Sequence, residues 1–228
     1  MAGVFKPSSR RAFKYFEKIA GGVIQDNYMK KMPFSDTRMF IISGSSGVGK
    51  SSVVKGLLAR MSYLELSVSC TTRPPRPDDK AGKIYQFMSK DEFQTRVQKG
   101  DFLEWAFVHG KHYYGTLKSE IEHISASGKM PLLEIEVQGA QILSAQFPNV
   151  VTIFIKPESL EELVSRIRRR GTMNEDELKK RMHSIQMETT ESEKYEYSVI
   201  NREGELEKTV NEVAHIIQKY RDNQGIAG

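Results

Sequence analysis

The chain has 228 residues, of which 39% are hydrophobic and 28% are charged, and this composition is typical of one folded domain with a sizeable core. No apolar run approaches the roughly 20 residues of a membrane-spanning helix, so a membrane protein is not expected. The single cysteine, Cys70, excludes an internal disulfide and a cysteine-cluster zinc site, and it favours a reducing, cytoplasmic location.

The formal net charge of +5 is concentrated near the N-terminus. Residues 1–37 hold seven bases and three acids, whereas the remaining 191 residues hold 27 bases and 26 acids. We interpret residues 1–37 as a disordered basic extension that lacks the apolar stretch of a secretory signal, and residues 38–228 as the folded domain. The balanced charge of that domain does not predict a nucleic-acid groove. Neither a membrane nor a nucleic acid is expected as a partner, although binding of nucleic acid by the extension is left open.

Strands and helices alternate from residue 38 onward, which predicts an α/β fold with a mostly parallel sheet flanked by helices. Apolar runs bounded by turn residues predict strands at Met39–Ser43, Leu64–Ser69, Phe102–Val108, Leu132–Val137 and Val150–Ile155.

Helices are predicted between these strands. They cover about residues 49–60, about residues 89–98 and Leu117–Ala126. Capping-box spacing predicts two more helices, which begin after Ser159 and after Asn174. A last helix carries one apolar face, formed by Leu206, Val210, Val213, Ala214 and Ile217. The segment Arg73–Tyr114 lacks full crossover helices, and we interpret it as an insert on the sheet.

A phosphate-binding loop follows the first predicted strand and opens the first predicted helix. Its residues match the pattern G-x-x-x-x-G-K-[ST] in full: Gly44, Ser45, Ser46, Gly47, Val48, Gly49, Lys50 and Ser51, with Ser52 next. Glycines let backbone N–H groups surround phosphate oxygens, and the helix N-terminus adds its positive dipole end. Lys50 is expected to reach the β- and γ-phosphates, and Ser51 to bind Mg²⁺. The loop predicts a nucleoside triphosphate site but does not indicate which reaction uses it.

Six further motifs follow the loop in a fixed order. They are Ser69–Arg76 (SCTTRPPR), Gly82–Phe87 (GKIYQF), Phe102–Ala106 (FLEWA), Tyr113–Thr116 (YYGT), Glu134–Ala140 (EIEVQGA) and Arg169–Thr172 (RRGT). In this order after a phosphate loop, they resemble the guanylate kinase family, and the resemblance covers about Met39 to Tyr220. It implies a P-loop kinase core (38–68, 129–165 and 194–221) with an inserted, small, β-rich GMP-binding lobe (about 69–128) and a helical lid (about 166–193).

The resemblance also implies a reaction. The γ-phosphoryl group of ATP would pass to GMP with the help of Mg²⁺, giving ADP and GDP in purine nucleotide metabolism. ATP and GMP would be the small-molecule substrates, ATP as the phosphoryl donor. A homodimer is left open.

By match to the family, the GMP phosphate would be held by Arg73, Arg76, Tyr85 and Tyr114. The guanine would meet Ser69, Glu104 and Thr116. Chemistry favours Glu104 independently, because a carboxylate only accepts hydrogen bonds and guanine offers N1–H and N2–H₂ as neighbouring donors. Adenine has no N1–H, so this carboxylate is expected to select guanine.

The remaining implied residues lie around the phosphates. Glu134 and Glu136 would face Mg²⁺-bound water and GMP, and which glutamate serves which is left open. Arg166, Arg170 and Arg181 would be catalytic, together with Lys50 and Arg73, by stabilising charge on the transferring group. Asn201 would contact ATP near the adenine, although Arg202 stands beside it where an aspartate is usual in the family.

Two departures from the family pattern and two alternative functions stay open. The segment from Gly110 to Tyr114 is one residue longer than usual, which leaves a choice between Tyr113 and Tyr114. Pro77-Asp78-Asp79 replaces a common Gly-Glu pair, so a GMP contact by Asp79 is in doubt.

The alternatives are a non-catalytic interaction module of the same fold and a related kinase with another acceptor, such as a ribose bisphosphate. The intact Lys50 and Ser51 argue against the first, and the GMP-site motifs argue against the second.

Overall fold

A computed structural model describes residues 34, 36–76, 79, 85–108, 110–169, 182, 185 and 190–222. Most of the helix predicted after Asn174 lies outside these residues, although Met182 and Ile185 are helical, and most of the predicted extension lies outside them too. Phe34, however, is buried, and its ring centroid is 6.2 Å from that of Phe147. Packed structure therefore includes Phe34, which precedes the predicted domain boundary at residue 38.

The helices and strands follow one another in the order β1 (Met39–Gly44), α1 (Lys50–Leu58), β2 (Leu64–Leu66), β3 (Ser69–Thr71), β4 (Tyr85–Phe87), α2 (Lys90–Lys99), β5 (Phe102–Val108), β6 (His112–Leu117), α3 (Lys118–Ala126), β7 (Met130–Glu134), α4 (Val137–Gln146), β8 (Val150–Lys156), α5 (Leu160–Arg169), β9 (Tyr197–Ile200) and α6 (Leu206–Asp222). A short 3₁₀ helix at Ser192–Lys194 precedes β9. Within the described residues, no helix is long and apolar enough to cross a membrane.

The central sheet has five parallel strands in the order β2-β7-β1-β8-β9. Every residue of β1 is buried, since helices cover both faces of the sheet, and this explains the uninterrupted apolar run of the sequence. The register pairs Ile42 with Glu134 on β7. The carboxyl end of β7 is thereby placed beside the phosphate loop that follows β1.

Alternating side chains of β1 enter two separate cores, one on each face of the sheet. Phe40 and Ile42 pack in the core that includes residues of α1, α5 and α6. Met39 and Ile41 pack in the core that includes residues of α3 and α4. The predicted α/β architecture, with helices on both faces of a parallel sheet, is confirmed.

The predicted insert forms a second sheet, with the strand order β4-β3-β6-β5. Strands β3 and β4 are parallel, and the other two pairings are antiparallel. This sheet has its own small core, in which the ring of Phe93 stacks on Phe102 and Tyr113 at centroid distances of 4.3 and 5.3 Å. The insert, called the lobe below, therefore has packing of its own beside the central sheet.

Two sequence-based boundaries are wrong, and one strand was not predicted. The strand predicted at Leu64–Ser69 is two strands, because β2 belongs to the central sheet and Ser69 begins β3 of the lobe. The strand predicted at Leu132–Val137 ends at Glu134, and Val137 is already helical. Strand β9 was not expected, because it has only four residues and its pairing with β8 is a long-range contact.

Candidate active site

The phosphate loop bends from β1 into α1 through glycines at positive φ. Gly49 has a φ of 102° and stands directly before α1, where it leaves the first helical N–H groups open. The ammonium of Lys50 folds back over the loop and donates to the carbonyl oxygen of Gly44 at 2.5 Å, with the carbonyl oxygen of Ser45 at 3.4 Å. Ser51 and Ser52 follow in the first turn of α1. Positive charge and free N–H groups thus converge on one concave backbone, as an anion site requires.

Asn201 holds the outer side of this loop. Its side-chain Nδ2 donates to the carbonyl oxygen of Val48 at 2.7 Å, and its Oδ1 accepts from Thr209 Oγ1 at 3.1 Å. A Cβ on Gly49 would lie 2.6 Å from the same Nδ2, so the glycine also permits this close approach. Both ends of the Asn201 amide are engaged by the protein, and the ATP contact that the resemblance implies for this residue stays a prediction.

Ser51 and Glu134 meet across the sheet. Ser51 Oγ donates to Glu134 Oε1 at 2.6 Å, because β1 and β7 are adjacent and parallel. Burial raises the pKa of the Glu134 carboxyl, while the hydrogen bond from Ser51 and the charge of Lys50 oppose that shift. Glu136 lies past the strand end, directly before α4. Of the two glutamates, the structure brings Glu134 to the predicted Mg²⁺ residue.

A cleft separates the central sheet from the lobe. Its lining combines polar residues from both parts of the molecule with a few small or apolar ones: Lys50, Ser69, Tyr85, Glu104, Ala106, Val108, Tyr114, Gly115, Glu134, Ile135, Glu136 and Gly139. Seven of these twelve are predicted site residues, contributed by α1, β3, β4, β5, β6 and the segment from β7 to α4. Lys50 lies in the phosphate loop as well as in the cleft, so the two sites adjoin.

Glu104 is the buried carboxyl of the cleft, with only 5% of the residue exposed. Its Oε1 accepts from Thr116 Oγ1 at 2.8 Å, since β5 and β6 pair these two residues directly. Burial raises the pKa of Glu104 to about 7, although the hydrogen bonds from Thr116 oppose the shift. The arrangement leaves a desolvated acceptor facing the cleft.

The two neighbouring tyrosines of β6 point to opposite faces of the lobe sheet. Tyr113 is buried against Phe93 in the core of the lobe, and Tyr114 lines the cleft. The Tyr114 ring meets Tyr85 edge-on, with centroids 6.0 Å apart. Burial and the nearby Glu134 raise the pKa of the Tyr85 hydroxyl, so this group stays a hydrogen-bond donor at neutral pH.

Arg73 is buried and forms a two-point ion pair with Asp79. Its guanidinium nitrogens donate to the two carboxylate oxygens at 2.9 and 3.0 Å, and one of them also donates to the carbonyl oxygen of Pro74 at 2.7 Å. The Arg73 guanidinium holds the pKa of Asp79 below its usual range. The Asp79 carboxylate also accepts from the backbone N–H of Arg76 at 2.5 Å, while Arg76 itself is exposed. Asp79 is thus the partner of Arg73, a role the sequence did not indicate.

Arg166 of α5 lies against the phosphate loop. One of its nitrogens donates to the carbonyl oxygen of Val48 at 3.2 Å, and another donates to that of Asn201 at 2.8 Å and to the Glu162 carboxylate. Glu162 also accepts from the backbone N–H of Glu203 at 2.8 Å. The other two predicted lid arginines, Arg170 and Arg181, lie outside the described residues.

Among the described residues, no group of three or more His, Cys, Asp or Glu side chains could hold a metal ion by itself. One hydroxyl and one carboxylate beside a phosphate loop nevertheless suit Mg²⁺, which is usually held by one or two protein oxygens, water and substrate phosphates. The fold, the loop and the adjoining acidic cleft define a P-loop protein with a second candidate binding cleft between sheet and lobe.

Comparisons with known proteins agree with this class. A sequence model of the family described as guanylate kinase matches residues 36–220. The guanylate kinase of Thermotoga maritima is 41% identical over 184 residues, which are 81% of this chain and 87% of that protein. The guanylate kinase of Mycoplasma genitalium is 43% identical over 182 residues, which are 79% and 75% of the two chains. The crystal structure of guanylate kinase from Anaplasma phagocytophilum matches with a TM-score of 0.66 and 29% identity, over 81% of this chain and 86% of that chain. The chain belongs to the guanylate kinase family, and the resemblance carried by its motifs is confirmed.

Proposed function

We propose that this chain transfers the γ-phosphoryl group of ATP to GMP in the presence of Mg²⁺, giving ADP and GDP. The observation that carries the proposal is the buried Glu104–Thr116 pair in a cleft that Lys50 shares with the phosphate loop. A guanine acceptor site and a triphosphate site then adjoin at the group that would stabilise the transferred charge.

On the donor side, the backbone of the loop would hold the triphosphate, and Lys50 would exchange its contacts with loop carbonyls for β- and γ-phosphate oxygens. Bound Mg²⁺ would neutralise charge on those phosphates. Ser51 and Glu134 are the residues that would hold it, because their oxygens already meet at the carboxyl end of β7. Glu136 lines the same cleft further from Ser51 and would face GMP.

On the acceptor side, the ionised Glu104 would accept hydrogen bonds from guanine N1–H and N2–H₂, with Ser69 and Thr116 beside it. A site built around such a buried polar group rejects analogues that cannot satisfy it, by about 10⁴–10⁵ at best. The Tyr85 and Tyr114 hydroxyls, which line the same cleft, would bind the GMP phosphate.

Arg73 and Arg76 would complete the phosphate site of GMP. The Arg73 guanidinium makes a two-point contact with Asp79, and a phosphate offers a pair of negatively charged oxygens that suits the same contact. We infer that Asp79 keeps the Arg73 guanidinium oriented until a phosphate takes over part of the contact. Arg166, Arg170 and Arg181 would close over the transferring group as residues of a lid at about 166–193, and closure would exclude water.

This proposal includes the division into core, lobe and lid, and a cytoplasmic location on the grounds of the single reduced cysteine.

The proposed reaction is tested by measuring ADP formation from ATP and Mg²⁺ with GMP, AMP, CMP, UMP or dTMP offered singly. Turnover with GMP far above that with the other four supports the proposal. ATP binding without turnover on any of them overturns it. The Lys50→Ala variant, purified identically, controls for a contaminating kinase.

A further inference from the structure

We propose that Gly139, in the first turn of α4, is a specificity-determining position of the acceptor site, because its missing side chain makes room for the Glu104 carboxylate. The inference rests on the proposed function and adds a residue of the core to the selection of guanine. It also gives the lobe and the core a shared part in that selection, since Glu104 belongs to β5 and Gly139 to α4.

The contact is very close. A Cβ built on Gly139 would lie 2.4 Å from Glu104 Oε2 and 3.0 Å from Glu104 Cδ. The other carboxylate oxygen, Oε1, is held by Thr116 Oγ1 at 2.8 Å. The carboxylate is therefore enclosed between a hydroxyl of the lobe and the bare Cα of a helix in the core. No other residue type leaves this space empty.

Neither helix formation nor backbone conformation calls for glycine here. Glycine inside a helix is less favourable than alanine by about 0.8–1.0 kcal/mol. Gly139 is not among the glycines with positive φ, so an alanine fits its backbone without strain. The neighbouring carboxylate is thus the one physical reason that the described residues offer for a glycine at this position.

Gly56 of α1 offers a direct contrast. A Cβ there would lie 2.6 Å from Cγ2 and 3.0 Å from Cγ1 of Val210, a fully buried side chain of α6. A branched core side chain cannot move away without disturbing the packing of the core. The end of the Glu104 side chain, by contrast, borders an open cleft and can move into it. A methyl group at 56 is expected to reduce stability, and one at 139 to displace an acceptor group.

The first experiment compares Gly139→Ala with Gly56→Ala in the full chain. For Gly139→Ala we expect kcat/KM for GMP to fall on the order of 10²-fold, as for a reacting group misplaced by about 1 Å. We expect KM for ATP to change less than about twofold and Tm to stay level or rise, since alanine favours the helix. For Gly56→Ala we expect a lower Tm with KM for GMP unchanged. An unaltered kcat/KM for GMP in folded Gly139→Ala overturns the inference.

A double-mutant cycle tests the contact itself. Glu104→Asp shortens the side chain by one methylene and withdraws the carboxylate from position 139. The loss caused by Gly139→Ala is then expected to be at least about fivefold smaller in the Glu104→Asp background, as for residues in contact. Equal losses in both backgrounds would show that position 139 acts independently of this carboxylate.

A readout without activity separates this inference from the proposed function. The Glu104 carboxyl can be titrated by ¹³C NMR in the ligand-free protein and assigned with Glu104→Gln. In Gly139→Ala, the displaced carboxyl is more solvated and its pKa is expected to fall from about 7 towards the ordinary range. An identical titration in both proteins overturns the inference. Absence of GMP turnover by the wild type overturns the proposed function, whatever the titration shows.

Discussion

In the proposed function, the phosphate loop and the acceptor cleft would bind their phosphate-bearing ligands with opposite kinds of group. The loop presents backbone N–H groups and the Lys50 ammonium, and its backbone is held from outside by Asn201 and Arg166. The cleft is lined by three carboxylates, of which Glu104 is the most deeply buried. Backbone dipoles and one cation suit the triphosphate of any nucleotide, whereas a desolvated carboxylate distinguishes one base from another.

The two regions also differ in how far apart their residues lie along the chain. The loop is one continuous segment, Gly44–Ser51, and its shape follows from glycines and a helix start. The cleft collects residues from both sheets and from α1 and α4, between Lys50 and Gly139. In the proposed function, affinity for the donor phosphates would depend mainly on this local segment, and selection of the acceptor base would depend on the docking of the lobe on the core.

The largest effect is expected from removal of the donor-side cation. Lys50→Ala should lower kcat by at least about 10³-fold, because a preorganised charge on the transferring group is lost. The measurement is ADP release at saturating ATP and GMP, with circular dichroism to verify the fold. Lys55→Ala, on an exposed position of the same helix, is the matched control and should keep wild-type rates. Normal turnover by Lys50→Ala would contradict the assignment of the loop.

Glu104→Gln should reduce the use of GMP and leave the use of ATP unchanged. We expect kcat/KM for GMP to fall by about 10²–10³-fold, since each hydrogen bond to a charged group is worth roughly 1.5–3 kcal/mol. The KM for ATP should stay unchanged, because Glu104 lies in the cleft and not in the loop. Thr116 can still donate to the amide oxygen, so the fold should persist. Equal losses for GMP and ATP would indicate that Glu104 serves the fold rather than the base.

The pH dependence of GMP binding should follow the ionisation of Glu104. Its pKa is raised to about 7, so the carboxyl is protonated below that pH and one acceptor for guanine is lost. GMP affinity is expected to weaken by up to about tenfold per pH unit below 7. The phosphate of GMP itself titrates near pH 6. Calorimetric titration of Glu104→Gln with GMP measures the contribution of the GMP phosphate alone. Identical pH profiles of GMP affinity for the wild type and Glu104→Gln would refute a titrating Glu104.

The stability of the ligand-free protein should depend on pH in the opposite sense. A folded-state pKa raised above the unfolded value near 4.5 stabilises the protonated protein, and this contribution is lost as the pH rises through about 7. Wild type should therefore lose stability relative to Glu104→Gln between pH 4.5 and 7 in chemical denaturation. A constant difference across that range would contradict the burial of this carboxyl.

The smallest effect concerns Asn201, and it distinguishes a loop contact from an adenine contact. Asn201→Ala removes the donor to Val48 and should cost about 1–3 kcal/mol of stability. If its role is to hold the loop, KM should rise equally for ATP and GTP as donors, by about tenfold or less. A change in the ATP-to-GTP preference with unaltered Tm would instead support the adenine contact expected from the resemblance.

Local sequence signals correctly predicted helix starts, which depend on contacts between residues close in the chain. Ser89 accepts from the backbone N–H of Glu92, and Ser159 from that of Glu162, both at 3.1 Å, as their capping-box spacing indicated. The sequence pattern did not predict strand β9 or the break between β2 and β3. The pairing of a short strand depends on which distant strand lies beside it, and no local pattern shows this. No spacing within Leu64–Thr71 shows where the chain leaves one sheet for the other.

The sequence by itself determined the phosphate loop, the α/β class and the family, because glycine spacing, a helix start and contiguous motifs act over a few residues. Only the tertiary structure decided between neighbours on one strand or segment: Glu134 rather than Glu136 beside Ser51, and Tyr114 rather than Tyr113 in the cleft. It also decided the partners of Arg73 and Arg166 and the contact of Gly139 with Glu104. These contacts join segments that are distant along the chain or depend on side-chain direction. The contact of Gly139 with Glu104 exists only once the lobe lies against the core, whereas that of Glu134 with Ser51 needs the pairing of β7 with β1.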